Sequence, residues 1–161
     1  MNSRWVIFLI SLLMGQYASA QMDNAQMTVW VNEAIVSTYT FTYSNFLQRK
    51  KDIAKYFTAG GWIAYSKALD ISKLTEAVTQ NKYTVSAVAT LPPEIKKVRD
   101  HQWQAVMPLL VLYKNSDKKQ TQVLQVVLDF MDASAGEGVR GLAITSLEAK
   151  ISTPPCSCST P

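Results

Sequence analysis

The chain has 161 residues, with 16 Lys and Arg against 12 Asp and Glu and a formal net charge of +4. That length suits about one domain, and so mild a positive excess keeps a protein soluble without pointing to nucleic acid as a partner. With a single histidine, and with both cysteines in the last six residues, the chain is short of the groups that metal sites and nucleophilic catalysis need.

Residues 1–20 read as a cleavable export signal. Arg4 gives a positive start, Trp5 to Met14 is a ten-residue apolar core, and Ala18-Ser19-Ala20 is a small-residue cleavage site that makes Gln21 the first mature residue. An uncleaved anchor would need about 17–25 apolar residues, and Gln16 and Tyr17 interrupt this run too soon. The protein is therefore expected in the periplasm of a Gram-negative cell, with no stable membrane span after cleavage.

After a polar leader from Gln21 to Gln26, the recurrence of Trp30, Val31, Ala34, Ile35 and Tyr39 predicts a helix from Met27 to about Tyr43. The β-branched and aromatic run after Ser37 would end it earlier on propensity alone. Ser44 or Asn45 can cap a second helix, in which Phe46, Ile53 and Phe57 share a face opposite Arg49 to Asp52. Thr58-Ala59-Gly60-Gly61 is expected to stop that helix, with glycine as the left-handed cap. A short helix carrying Trp62, Tyr65 and Leu69 should break at Asp70-Ile71-Ser72. Asp70 or Ser72 then caps a last helical turn through Leu74, Ala77 and Val78, ending near Asn81.

The period then falls from about 3.6 to 2. Tyr83 to Leu91 alternates as a strand and stops at Pro92-Pro93. Glu94 to Arg99 is a short strand, and Asp100-His101 turns into Gln102 to Tyr113, the longest apolar run outside the N-terminus. Pro108 within it should mark an edge, a bulge or a sharp bend. After the polar turn Lys114 to Gln120, Thr121 to Asp132 places Leu124, Val126, Leu128 and Phe130 on one face, which is the pattern of an antiparallel hairpin with one covered side. Ala133 to Gly138 is a flexible connection, and Gly141 to Ile151 a last strand. Helices followed by strands imply an α+β fold, with N-terminal helices packed on a strongly bent antiparallel sheet spanning residues 21–151. Residues 152–161 form a Pro- and Ser-rich tail, expected to be disordered, in which Cys156 and Cys158 are a candidate strained disulfide.

Catalytic groups are scarce. No G-x-S-x-G, Walker or G-x-G-x-x-G pattern occurs, and neither a cofactor nor a metal is expected. His101 is a lone turn residue. Asp129 is the most unusual acid because it falls mid-strand; in a closed pocket desolvation would raise its pKa and make it a candidate base, but it alternates with Gln125 on a partly wet face.

The stretches VWVNEAIVSTYTFTYSNF, DIAKYFTAGGWIAYSKAL, KYTVSAVAT and HQWQAVMPLLVLY together resemble the IcmL (DotI) family of the Dot/Icm type IVB secretion system, over roughly Met27 to Ala149. The residues that carry the resemblance are Trp30, Phe57, Gly61, Trp62, Trp103, Pro108, Tyr113 and Gly141. The resemblance implies a periplasmic domain with the nuclear-transport-factor-2-like (cystatin-like) fold and a structural, non-enzymatic role at the inner membrane. Family members carry a cytoplasmic stretch and a transmembrane helix before this domain, where the present chain has a cleavable signal. Asp129 to Asp132 and Ser146 also depart from residues frequent in the family.

Two functions follow. The first is an interaction protein that binds itself, secretion-system components or other envelope proteins. The second is a small-molecule binder or enzyme using a pocket between helices and bent sheet, with Asp129 or Tyr83 pointing in.

Overall fold

The computed structural model describes residues 23–152. The signal residues Ala18, Ala20 and Gln21 and the tail cysteines Cys156 and Cys158 lie outside the described residues.

Helix α1 (Asn24–Thr38) starts earlier than the apolar period predicts, because Asp23 and Gln26 close a capping box. The Asp23 carboxylate accepts from the Gln26 N–H at 2.7 Å, and the Gln26 side chain accepts from the Asp23 N–H at 3.2 Å. Met27, Trp30, Val31, Ala34, Ile35 and Thr38 form its buried stripe. The helix does not continue to Tyr43. It ends at Thr38, and Phe41–Thr42 becomes a two-residue strand, β1. Propensity wins here because the sheet offers Phe41 a buried place, edge-on to Phe46 at 5.2 Å.

Helix α2 (Phe46–Ala54) buries Ile53. Phe57 is outside it: the expected helical face of Phe46, Ile53 and Phe57 is split, and Phe57 instead bridges Ile144 in parallel. The expected glycine stop is also corrected. Thr58 is the N-cap of helix α3 (Ala59–Ser72), its hydroxyl accepting from the Gly61 N–H at 3.1 Å. Gly61 is needed for closeness, since a Cβ there would sit 2.5 Å from the Ile144 carbonyl oxygen. Helix α3 also runs through Asp70-Ile71 without a break. It ends where Lys73 turns left-handed at φ 56°, and the Ser72 hydroxyl accepts from the Leu74 N–H at 3.3 Å to start α4 (Leu74–Gln80).

The strands are β2 (Thr84–Ala89), β3 (Glu94–Arg99), β4 (Gln102–Lys114), β5 (Lys119–Asp132) and β6 (Leu142–Ile151). All pairings are antiparallel, in the order β1-β2-β4-β5-β6, with β3 also on β4. The sheet is strongly curled, with the helices packed on it, so the α+β reading holds. Trp103, Ala105, Met107, Leu109 and Val111 of β4 and Leu124, Val126, Leu128 and Phe130 of β5 line the face toward the helices.

Pro108 makes no bulge in this hairpin. The β4–β5 register passes through Pro108↔Gln125 without a shift. On its other side β4 pairs β2 from Leu109 onward and β3 up to Val106, so Pro108 lies where one neighbour gives way to the next. Its carbonyl accepts from the Thr90 N–H at 3.1 Å. In an antiparallel strand a residue's N–H lies on the same side as its C=O, so the missing donor faces this handover and no ladder bond to β5 is lost.

Candidate interaction surface

On the helix side of Phe130 the molecule is closed, while Trp103, Gln104, Asp129 and Phe130 border a cavity of about 450 Å³. Trp30, fully buried, packs on Phe130 at a centroid distance of 5.4 Å, and Trp103 stacks on the same ring at 5.6 Å. The Trp30 indole N–H donates to the Val139 carbonyl at 2.8 Å, tying α1 to the loop before β6. Over this cluster sits a polar latch. The Tyr56 hydroxyl donates to one Glu33 carboxylate oxygen at 2.5 Å, and Arg140 pairs with the other. The Tyr56 bond, followed by the Arg140 guanidinium, holds the Glu33 carboxyl below its ordinary value against an opposing effect of burial. Burial and the bond to Glu33 push the Tyr56 phenol up to about 12.

Toward the far ends of β4 and β6 the helices stand off the sheet. A groove of about 630 Å³ lies between α3 and α4 on one side and β5 and β6 on the other. Tyr39, Tyr65 and Leu69 form one wall, Leu124 and Leu147 the floor, and Ala149 and Ile151 the outer rim. Burial raises the pKa of Tyr39, Tyr65 and Tyr113, so all three phenols stay protonated.

The residues singled out from sequence fall into separate places. Phe57, Gly61 and Trp62 gather at the start of β6, with the Phe57 and Trp62 rings 5.6 Å apart. Trp30 and Trp103 flank Phe130, Tyr113 lines the groove, and Pro108 lies mid-strand away from both. Gly141 enters β6 with φ 79°, a conformation that favours glycine. Asp129 does not point between helices and sheet: it is on the outer face, its carboxylate accepting from the Gln104 side-chain amide at 2.9 Å. Tyr83 stands edge-on to Tyr113 at 6.2 Å and does not line the groove. His101, at φ 60°, lies 2.6 Å from Asp132 in an exposed pair, while its sequence neighbour Asp100 pairs with Lys97. Among the described residues no cluster of His, Cys, Asp and Glu suits a metal.

The edge of β6 is a feature that sequence reading missed. Its first part is covered, since Ile144 donates to the Tyr56 carbonyl at 2.8 Å and accepts from the Thr58 N–H at 2.9 Å. Thr145 is then an extra residue in the ladder, because Asp129 pairs Ser146 and Phe130 pairs Ile144. Beyond it the Ser152 N–H donates to the Val123 carbonyl at 2.9 Å, which fixes the alternation: even residues bond β5, and Leu147, Ala149 and Ile151 turn N–H and C=O outward. These outward groups have no partner among the described residues. Alternating hydrophobicity marks β6 as a strand, but only the strand order reveals that it is an edge.

A family model described as a type-IV b secretion system, inner-membrane complex component (DotI/IcmL) matches residues 13–151. No curated protein matches the chain. The crystal structure of an IcmL-like type IV secretion system protein from Legionella pneumophila is similar at 56% identity, covering 85% of this chain and 99% of that one, with a TM-score of 0.81. The periplasmic domain of DotI is similar at 28% identity, covering 82% and 98%, with a TM-score of 0.77. A nuclear-transport-factor-2-like protein from Salmonella enterica, at 9% identity over 86% and 99% with a TM-score of 0.55, shares the fold. With the match running through every described strand and helix, the chain belongs to the DotI/IcmL family of type IVb secretion-system components.

Proposed function

We propose that this protein is an exported, non-enzymatic interaction protein of the type IVb secretion apparatus, working in the periplasm after cleavage before Gln21. The observation that carries the reading is the chemistry of the groove. Its walls and floor are mainly leucines and protonated tyrosines, its charged residues Glu148 and Lys150 lie at the β6 border, and neither Asp129 nor His101 reaches it. Such a surface suits a protein partner better than a transition state, which needs charged or nucleophilic groups aimed at reacting atoms. Family membership supports the same reading, and so do the charged start at Arg4 and the A-x-A site at Ala18 and Ala20. Among the described residues no helix is long and apolar enough to cross a membrane.

The experiment has two arms. N-terminal sequencing of the protein released by osmotic shock should read from Gln21, and an intact Met1 in the membrane pellet would contradict export as a free domain. Affinity capture of the tagged full chain from an envelope fraction should recover secretion-system components, and their absence would count against the interaction role. A second reading, small-molecule binding, rests on the groove volume, which lies within the range of about 300–1,000 Å³ for ligand pockets. It requires saturable binding of a defined ligand that substitution of Leu69 or Tyr65 abolishes.

A further inference from the structure

The free stretch of β6 has a sequence that complements itself. Read outward from Ala149, it places Glu148 and Lys150 one residue to either side and Leu147 and Ile151 two residues to either side. We propose that β6 pairs antiparallel with β6 of a second copy of this chain, about a two-fold axis at Ala149, so that the two sheets run on as one. This rests on the interaction-protein reading and names a surface and a partner for it.

The alternation on β6 restricts the register. Outward N–H and C=O groups belong to Leu147, Ala149 and Ile151, so an intermolecular ladder must set these residues opposite one another. Centred on Ala149, the ladder pairs Ala149 with its own copy and Leu147 with Ile151 of the second copy, twice. Every outward group is then used. Glu148 comes opposite Lys150 of the second copy, and Lys150 opposite Glu148. These are non-hydrogen-bonded positions, where facing side chains approach closest and opposite charges attract. Shifting the centre by one residue either way loses a bonded pair and sets Glu148 against Glu148 or Lys150 against Lys150. The centred register alone combines the longest ladder with unlike charges.

The two faces of the joint also differ in a consistent way. Leu147, Ala149 and Ile151 share the helix-facing side with Leu124, Val126 and Leu128. Ile151 is 71% exposed, a large aliphatic group on an open edge, and in the dimer it lies beside Leu147 of the second copy, at the mouth of the groove. Glu148 and Lys150 stay on the wet outer side. An isologous contact of this kind closes on itself and yields a dimer rather than a fibre.

The test is sedimentation of the purified mature chain over a concentration series, together with charge-reversal variants. A reversible monomer–dimer equilibrium is expected. Glu148→Lys and Lys150→Glu each set like charges opposite, and each should raise the dimer Kd about tenfold or more. The double variant E148K/K150E restores unlike pairs and should return the Kd to that of the parent. Ala149→Pro removes a central donor on an edge where proline is otherwise tolerated, and should abolish the dimer while circular dichroism stays unchanged. A chain monomeric at all accessible concentrations overturns the proposal, as does a dimer indifferent to these reversals or singles that the double variant does not rescue. A monomer that still captures secretion-system proteins would overturn the β6 pairing and leave the interaction role standing; a dimer that captures none would do the reverse.

Discussion

Around Phe130 the helices and the sheet close on each other, with Trp30 and Trp103 on one ring and the Trp30 N–H bonded to Val139. At Leu147 to Ile151 the same sheet face stays open, and α3 stands off across a groove. Both regions are aromatic and aliphatic, so composition does not separate them. The difference lies in how each helix is fixed. α1 is buried along its whole stripe from Met27 to Thr38. α3 is fixed at its first turn, where Gly61 lets the backbone approach Ile144 and Thr58 bonds the same carbonyl, and beyond that turn its anchors thin to Leu69 and to Tyr65, stacked on Phe57 at 5.1 Å. A closed end that holds the fold together allows the other end to keep surface free for a partner.

The contrast can be broken most forcefully at Trp30. Trp30→Ala should cost about 3–5 kcal/mol in denaturant melts, the range for deleting a large aromatic from a packed core. Phe57→Ala falls in the same range because Phe57 is buried, whereas Trp62, half-buried, should cost less. A loss under about 1 kcal/mol at Trp30 would mean that the closed end is not where the stability lies. Gly61→Ala tests the fixing of α3. Its Cβ would meet a backbone oxygen that cannot rotate away, so the cost should lie near 3 kcal/mol, the upper part of the overpacking range, and a neutral result would deny the close contact. Leu69→Ala, at the groove wall, should cost about 2 kcal/mol, since water can enter the space that a closed core would leave empty.

The smallest effect is expected at the latch. The Glu33 side chain is 42% exposed, so Glu33→Gln should cost less than about 1 kcal/mol. Its sign with pH is fixed. The folded protein holds this carboxyl below its ordinary value of 4.5, so its contribution is present above that value and is lost as pH falls through the lowered one. The acid limb of the stability curve should therefore be shallower in Glu33→Gln than in the parent, and parallel limbs would show that the Tyr56 and Arg140 bonds do not form in solution.

Much of this architecture is legible in the sequence. The period-2 runs give the faces of β4 and β5 residue by residue, because a half-covered sheet forces strict alternation. Several readings fail where a partner distant in sequence decides the local structure. Gly60-Gly61 looks like a helix stop, yet Gly61 serves a contact with Ile144, far along the chain, that no local pattern records. Pro108 reads as an edge, a bulge or a bend, and no bulge forms because its missing donor falls at the handover from β2 to β3, which depends on strand order. Phe57 has helical spacing from Phe46 and Ile53, but the chain leaves the helix after Ala54 to bridge β6. The free edge of β6 is the least legible part. Its residues are plain in the sequence, but which of their amides lack a partner follows only from register and from the bulge at Thr145.

The division between a closed end and an open edge is tested most directly by native-state hydrogen exchange on the dilute mature chain. Amides of Ala105 and Leu128, paired next to the Phe130 cluster, should exchange only through global unfolding, while those of Ala149 and Ile151 should exchange orders of magnitude faster, through local fluctuation. Equal protection at the two sites in dilute solution would contradict an edge left free for a partner.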